Sequence, residues 1–422
     1  MASTLAEKLI ASAADRAAVT AGEIVTCKVD LAMFHDSSGP RRLQPMLAEL
    51  GANVWDSDKI VVVTDHYVPA TDANSRQIVQ LTRDWVRDNH IRHFYDQQGI
   101  CHVVLPQHGH LRPGMFCVGG DSHSPTGGAF GAYMFGIGST EMLGVVVTGE
   151  IWIRVPRTIR IELNGVLHPR TTAKDIMLML IGSLGMDGGD YQAVEFSGTA
   201  VEALSMQERM TLTNMTAELG AQTGLIAPDA TTLTYLHGVG VDTSAIDVNR
   251  WRTDDDAPSL RTLSYDASEL PPMVAAPHSP ANSQPVDAFV GQPVDIAYIG
   301  ACTGAKFADI AMAASLLRGK RIAPGTQLWL APASEADQAQ AEREGMLQIL
   351  LDAGAQLLPT ACGACAGYGD YRFAAGARVI STTARNFKGR MGDATSQVYL
   401  ASPFTVAASA VSGVITDPRT VS

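Results

Sequence analysis

Short apolar runs alternate with longer stretches of helical periodicity along most of this chain. That alternation confines it to parallel sheets layered with helices. The run Lys59-Ile60-Val61-Val62-Val63-Thr64 has no polar face and ends at Asp65-His66, as a strand buried on both sides must. Residues 75–89 follow as a helix, with Ile78, Leu81, Trp85 and Val86 at helical spacing. Residues 101–105 read as a further strand, 106–113 as a loop and 115–118 as the next strand, with others at 158–163 and 295–300. The expected class is therefore α/β. In such sheets ligands gather at the carboxyl ends of strands. Asp65, His66, Asp121, His123 and Cys302 all follow predicted strands.

The composition changes near Val155-Pro156-Arg157, and residues 254–285 are rich in Pro, Ser, Asp and Ala. The expectation is three domains, 1–157, 158–285 and 286–422, with the second ending in a surface linker. No internal repeat is evident. With 46% of its 422 residues hydrophobic, the chain can fill several cores. The net charge of -12 and the lack of a basic stripe argue against nucleic acid and anionic membranes as partners. No run of 18 apolar residues suggests a membrane span, and the first residues lack the features of a signal peptide. Six cysteines are too few for a disulfide framework in a chain this long. Cys27, Cys101 and Cys117 read as buried fillers. A reducing, cytoplasmic location is expected.

The remaining cysteines lie among small residues, in Gly300-Ala301-Cys302-Thr303-Gly304 and Ala361-Cys362-Gly363-Ala364-Cys365-Ala366-Gly367. Three thiolates are one short of a closed tetrahedral site. Three also suffice for an iron-sulfur cluster with one iron left open. By spacing alone, zinc, disulfide and iron-sulfur chemistry all remain open. The loop Gly120-Asp121-Ser122-His123 can aim an acid/base pair into one pocket, or can be a turn with a capping aspartate. Asp65-His66 is either a second such pair or a solvated one, and His102 either a site residue or a core histidine. Asn214 and Glu218 share a helix face at their spacing, as site residues or as an exposed stripe. Arg385 and Arg390 can clamp carboxylates, or belong to a solvated basic loop.

Taken together, the strings Thr64-Asp65-His66-Tyr67-Val68-Pro69, Gly99-Ile100-Cys101-His102, Gly120-Asp121-Ser122-His123, Cys302-Thr303, Cys362-Gly363-Ala364-Cys365 and Arg385-Asn386-Phe387-Lys388-Gly389-Arg390 carry a resemblance. The chain resembles the aconitase superfamily, and within it the group of separate large subunits of 3-isopropylmalate dehydratase and its relatives. The resemblance implies three α/β/α domains around a central cleft, without the family's fourth, swivelling domain. It implies a hydro-lyase acting on a small hydroxy-dicarboxylate, through a 4Fe-4S cluster with one open iron held by Cys302, Cys362 and Cys365.

It further implies that His66, backed by Asp65, protonates the departing hydroxyl. Asp121 would pair with His102, and Glu218 with His123. Asn214 would position the cluster or its water. Arg385 and Arg390 would hold substrate carboxylate or order the cluster side of the cleft, and Ser122 would line it. The catalytic base, a serine, would arrive on a separate small subunit. The first expected substrate is 3-isopropylmalate, with 2,3-dimethylmalate or homoaconitate as alternatives. A non-catalytic cluster sensor or RNA-binding relative is the alternative of another class. Two positions depart from the family pattern: Gly304 and Ala384 stand where asparagines are usual.

Overall fold

The computed structural model describes residues 2–368 and 371–421. Its core is three largely parallel sheets. The first has the order His93–Asp96, Ile60–Thr64, Leu31–His35, Phe116–Gly119, Tyr133–Gly136, all parallel. The second runs Thr223–Ile226, Ala193–Ser197, Thr158–Asn164, Arg261–Asp266, again all parallel. The third has seven strands. Gln397–Ala401, Arg378–Ser381, Ile296–Ile299, Gln327–Leu330 and Ala355–Leu357 are parallel. Met273–Ala275 and Ser283–Pro285 add an antiparallel edge. A separate two-stranded ribbon pairs Ile24–Lys28 with Glu150–Arg154.

The strands expected near 59–64, 115–118, 158–163 and 295–300 form within a residue or two of those bounds, as does the helix Ala73–Asp88. Ile60, Val61, Val62 and Val63 are fully buried, which explains a run with no polar face. One continuous apolar cluster contains Met33 and Val63 of the first sheet with Ile299 and Leu330 of the third. Those two sheets therefore share a core, and their carboxyl ends are held in fixed relation. Among the described residues, no helix is long and apolar enough to cross a membrane.

Two expectations fail. Residues 101–105, expected as a strand, lie instead in the helix Cys101–Gln107. The Asp65 carboxylate accepts the Cys101 N–H at 2.8 Å and anchors the first turn. All sides of this short helix are buried, so its apolar residues show no helical period. Nor is 254–285 a surface linker. Arg261–Asp266 completes the second sheet, the next two strands extend the third, and Met273, Val274 and Ala275 are buried. The prolines that suggested a linker lie between these strands or, like Pro285, on the sheet edge, where a missing N–H breaks no ladder.

Candidate functional site

The site is assembled where strands of the first and third sheets end. Leu31–His35 delivers His35 and Asp36, Ile60–Thr64 delivers Asp65 and His66, and Phe116–Gly119 leads to Asp121 and His123. From the third sheet, Ile296–Ile299 leads to Cys302 and Arg378–Ser381 leads to Arg385. The helix Met206–Asn214 and the 3-10 turn Met215–Ala217 supply Asn214 and Glu218. These two thus follow one another across a helix end, and both are buried rather than lying on an exposed stripe.

Three carboxylate–imidazole pairs converge here. Asp65 Oδ1 lies 2.6 Å from His66 Nδ1, Asp121 Oδ1 lies 2.8 Å from His102 Nε2, and Glu218 Oε1 lies 2.9 Å from His123 Nε2. The Asp121 carboxylate also accepts the His123 N–H at 2.8 Å, so the turn-capping and pairing roles coexist. Burial alone would raise the Asp65 carboxyl, but the His66 charge overrides it and holds the group at about 2. Burial likewise opposes charge on His66. The Asp65 carboxylate, with a smaller contribution from the Cys362 sulfur, outweighs it and holds the imidazole well above its usual range. His66 is therefore buried and favours its charged form. With Nδ1 occupied by Asp65, Nε2 is the ring nitrogen left to face Cys362. Asp121 is held well below the usual carboxylate range by His102, again against burial. His123 is pulled down by burial, and Arg385 adds to that.

Arg385 Nε lies 2.5 Å from the same Glu218 oxygen that meets His123. It is therefore engaged with a carboxylate of the chain itself. Burial opposes ionisation of Glu218, yet Arg385 and His123 hold its carboxyl at about 2. Arg390 Nε is buried with no partner among the described residues. Ser122 is exposed in the loop between Asp121 and His123.

His35 and Asp36 belong to the same network and were not anticipated. The His35 ring stacks on His66, centroids 3.8 Å apart and planes within 10°. Ser37 N–H donates to His35 Nδ1, which leaves its proton on Nε2, 3.5 Å from Asp121 Oδ2. Asp36 accepts the N–H groups of His66 (3.1 Å) and Tyr67 (2.8 Å) and so fixes the turn that carries His66. The signal for both was present: they follow a strand, as Asp65 and His66 do.

The cysteines face this network. All six in the chain are free thiols. Ala301 adopts a left-handed backbone, φ +70°, and turns the chain so that Cys302 leaves the strand end buried. Cys362 N–H donates to the Asp65 carbonyl at 2.8 Å, which ties the second cysteine turn to the acid. Beside Cys365, the backbone of Gly367 approaches so closely that a Cβ there would sit 2.3 Å from the Arg390 carbonyl. Burial, reinforced by the other two cysteines, pushes the Cys302 thiol up, and burial pushes Cys362 up to about 11. Asn214 Nδ2 donates to Cys302 Sγ at 3.2 Å and to Thr126 Oγ1 at 2.8 Å. Among the described residues, Asn214 Oδ1 and the Tyr298 hydroxyl are buried without partners.

A single tetrahedral zinc would hold its sulfurs about 3.8 Å apart. Among the described residues, two sets of candidate ligands close to within 4.8 Å of one another, and neither contains these cysteines. The three thiols perturb one another, so they lie near each other, yet they do not form a set tight enough for a single ion. An iron-sulfur cluster, whose thiolates bind different irons, fits that spread. The Asn214 amide already directed at sulfur fits it as well.

Gly304 and Ala384 have local explanations. A Cβ on Gly304 would lie 2.1 Å from Thr382 Cβ. The Thr382 hydroxyl itself donates to the Gly300 carbonyl and accepts the Gly300 N–H, both at 2.9 Å, so it spans the two loops. Ala384 is buried in the apolar cluster of the second sheet, with Met215 and Leu400.

The chain is similar to known proteins along nearly its whole length. The profile of the aconitase family (aconitate hydratase) matches residues 7–293 and 288–413. The chain is 43% identical over 422 residues to "3-isopropylmalate dehydratase large subunit 1" of Methanopyrus kandleri, covering 99% of each. It is 41% identical to the 3-isopropylmalate dehydratase large subunit of Nitratidesulfovibrio vulgaris, again over 99% of each. Among solved structures, Thermococcus kodakaraensis aconitase X in its holo-form superposes with a TM-score of 0.51 at 14% identity. That match covers 88% of this chain and 89% of the other, and at such identity it speaks for the fold alone.

Proposed function

This chain belongs to the aconitase family, and on that premise we propose that it is the large subunit of a 3-isopropylmalate dehydratase. Such a hydro-lyase removes water from a hydroxy-dicarboxylate and returns it at the neighbouring carbon. The observation that carries this reading is identity of about 40% over essentially the whole length of named large subunits. Family membership also brings an iron-sulfur cluster into the account. Cys302, Cys362 and Cys365 are the residues that would hold it, as a 4Fe-4S cluster with one open iron. When bound, it would supply a Lewis acid for the substrate hydroxyl and carboxylate.

The chain's own residues would do the rest. Dehydration needs a proton on the leaving oxygen, and His66 Nε2 would deliver it. Asp65 holds the opposite ring nitrogen and keeps the imidazolium charged inside a dry site. His102 and His123, fixed by Asp121 and Glu218, would orient the water and hydroxyl. Asn214 would steady the cluster through Cys302. Arg390, with a buried nitrogen unpaired, is the better placed arginine for a substrate carboxylate, because Arg385 is already held by Glu218. Ser122 would line the cleft.

The name "large subunit" on the relatives implies a small-subunit partner. That partner would bring the serine that takes the carbon-bound proton. The test is an anaerobic assay of the reconstituted chain alone and with a small subunit, followed by absorbance of the unsaturated product. Turnover of 3-isopropylmalate only in the pair is expected. Substantial turnover by the single chain would refute the division of the site. Preference for dimethylmalate or homoaconitate would refute the substrate.

A further inference from the structure

Lys174 is a buried cation with no anion of its own. It lies in the first turn of the helix Ala173–Leu184 and is 1% exposed. Its ammonium donates to the carbonyls of Thr382 (2.9 Å) and Thr383 (2.6 Å) and to Thr303 Oγ1 (3.4 Å). Those partners are neutral, and no carboxylate of the described residues lies within ion-pair distance. The other buried lysine nearby, Lys306, shows the contrast: its ammonium meets Asp309 at 2.8 Å. Burying an ammonium without a countercharge is strongly unfavourable. Burial pulls the Lys174 ammonium down to about 8, against attraction from Glu218, Cys365 and Cys302. Glu218 is already shared between His123 and Arg385. The Thr303 that Lys174 meets adjoins Cys302, which brings the ammonium to the side of the cysteine sulfurs. As free thiols they are neutral, whereas as metal ligands they are thiolates.

Building on the cluster assignment above, we propose that Lys174 is a positioning residue for the iron-sulfur site: its ammonium supplies the countercharge for the ligating thiolates of Cys302 and Cys365. Its hydrogen bonds also tie Thr303, next to Cys302, to the turn at Thr382-Thr383 that leads to Arg385. One side chain from the second sheet's layer thus holds both third-sheet loops in register. A fixed positive charge favours the more negatively charged redox state of a nearby cluster, so it raises the reduction potential.

The experiment uses the full chain, reconstituted anaerobically, as wild type, Lys174→Met, Lys174→Gln and Thr303→Val. Iron and sulfide are counted, apo-protein folding is checked by circular dichroism, and the potential of the air-oxidised three-iron form is read by electron paramagnetic resonance. Both neutral lysine variants should fold when apo. They should shift the potential down by about 59 mV, the one-electron equivalent of a tenfold change, and lose iron in air about tenfold faster. Thr303→Val keeps the charge and should keep the wild-type potential. Unchanged potentials in both lysine variants would overturn the proposal while leaving the cluster assignment intact, as would an equal drop in Thr303→Val. Failure of both lysine variants to fold as apo-proteins would also overturn it, since Lys174 would then be needed before any cluster is present. Absence of a cluster in wild type would overturn the assignment itself, and this inference with it.

Discussion

Glu218→Gln is the sharpest single perturbation of this site. One Glu218 oxygen meets both Arg385 (2.5 Å) and His123 (2.9 Å), and the residue is 1% exposed. Glutamine keeps the shape and removes the charge, which leaves the Arg385 guanidinium largely buried and unpaired. The folded carboxyl stands at about 2 against an ordinary 4.5. At 1.36 kcal/mol per pKa unit, that depression corresponds to about 3 kcal/mol of stability at pH 7. A depressed carboxyl stabilises the fold fully above its unfolded value and loses that contribution as pH falls through the folded one. The difference between wild type and variant should therefore be about 3 kcal/mol at pH 7 and shrink to about 1.5 kcal/mol near pH 3. Urea unfolding of cluster-free protein across this range measures it. Equal stabilities at pH 7, or a gap that stays constant down to pH 3, would refute the reasoning.

Three further outcomes are expected. Gly304→Ala should destabilise the apo-protein by about 1–3 kcal/mol through the clash with Thr382. Thr382→Gly itself loses the two Gly300 hydrogen bonds, so in a double-mutant cycle the two losses should be less than additive, as thermal unfolding would show. Asn214→Ala removes the amide donor to Cys302 and should weaken iron retention by about 1–2 kcal/mol, or roughly tenfold, read by chelator competition. Because burial pushes the Cys362 thiol up to about 11, cluster loading must release its proton. Loading should therefore weaken by at least about tenfold for each unit of pH lowered from 8.5 to 6.5, and pH-independent loading would contradict this.

Much of the fold was legible in the chain because parallel strands buried on both faces leave apolar runs such as Ile60-Val61-Val62-Val63. Residues 101–107 misled for the same reason inverted: a helix buried on every side shows no period either. The prolines of 254–285 misled because composition does not say whether a proline ends a strand, edges a sheet or lies in a linker. Most of the anticipated site residues were visible as short motifs after strands. His35 and Asp36 carry the same signal, at the end of the apolar run Leu31-Ala32-Met33-Phe34.

What the sequence by itself determined is the class of fold, the chemical inventory and the positions along the chain where chemistry could sit. These depend on local pattern: apolar runs, strand ends, and Cys, Asp and His in small-residue loops. What only the tertiary structure decided is partnership. Nothing local predicts that Glu218 is shared by His123 and Arg385, or that Thr382 fills the space a side chain at 304 would need. Nor does it predict that Lys174 is buried beside thiols instead of a carboxylate. Each joins residues about 80 or more positions apart. Their energies come from desolvation and charge, and those exist only once the three sheets have closed around the site.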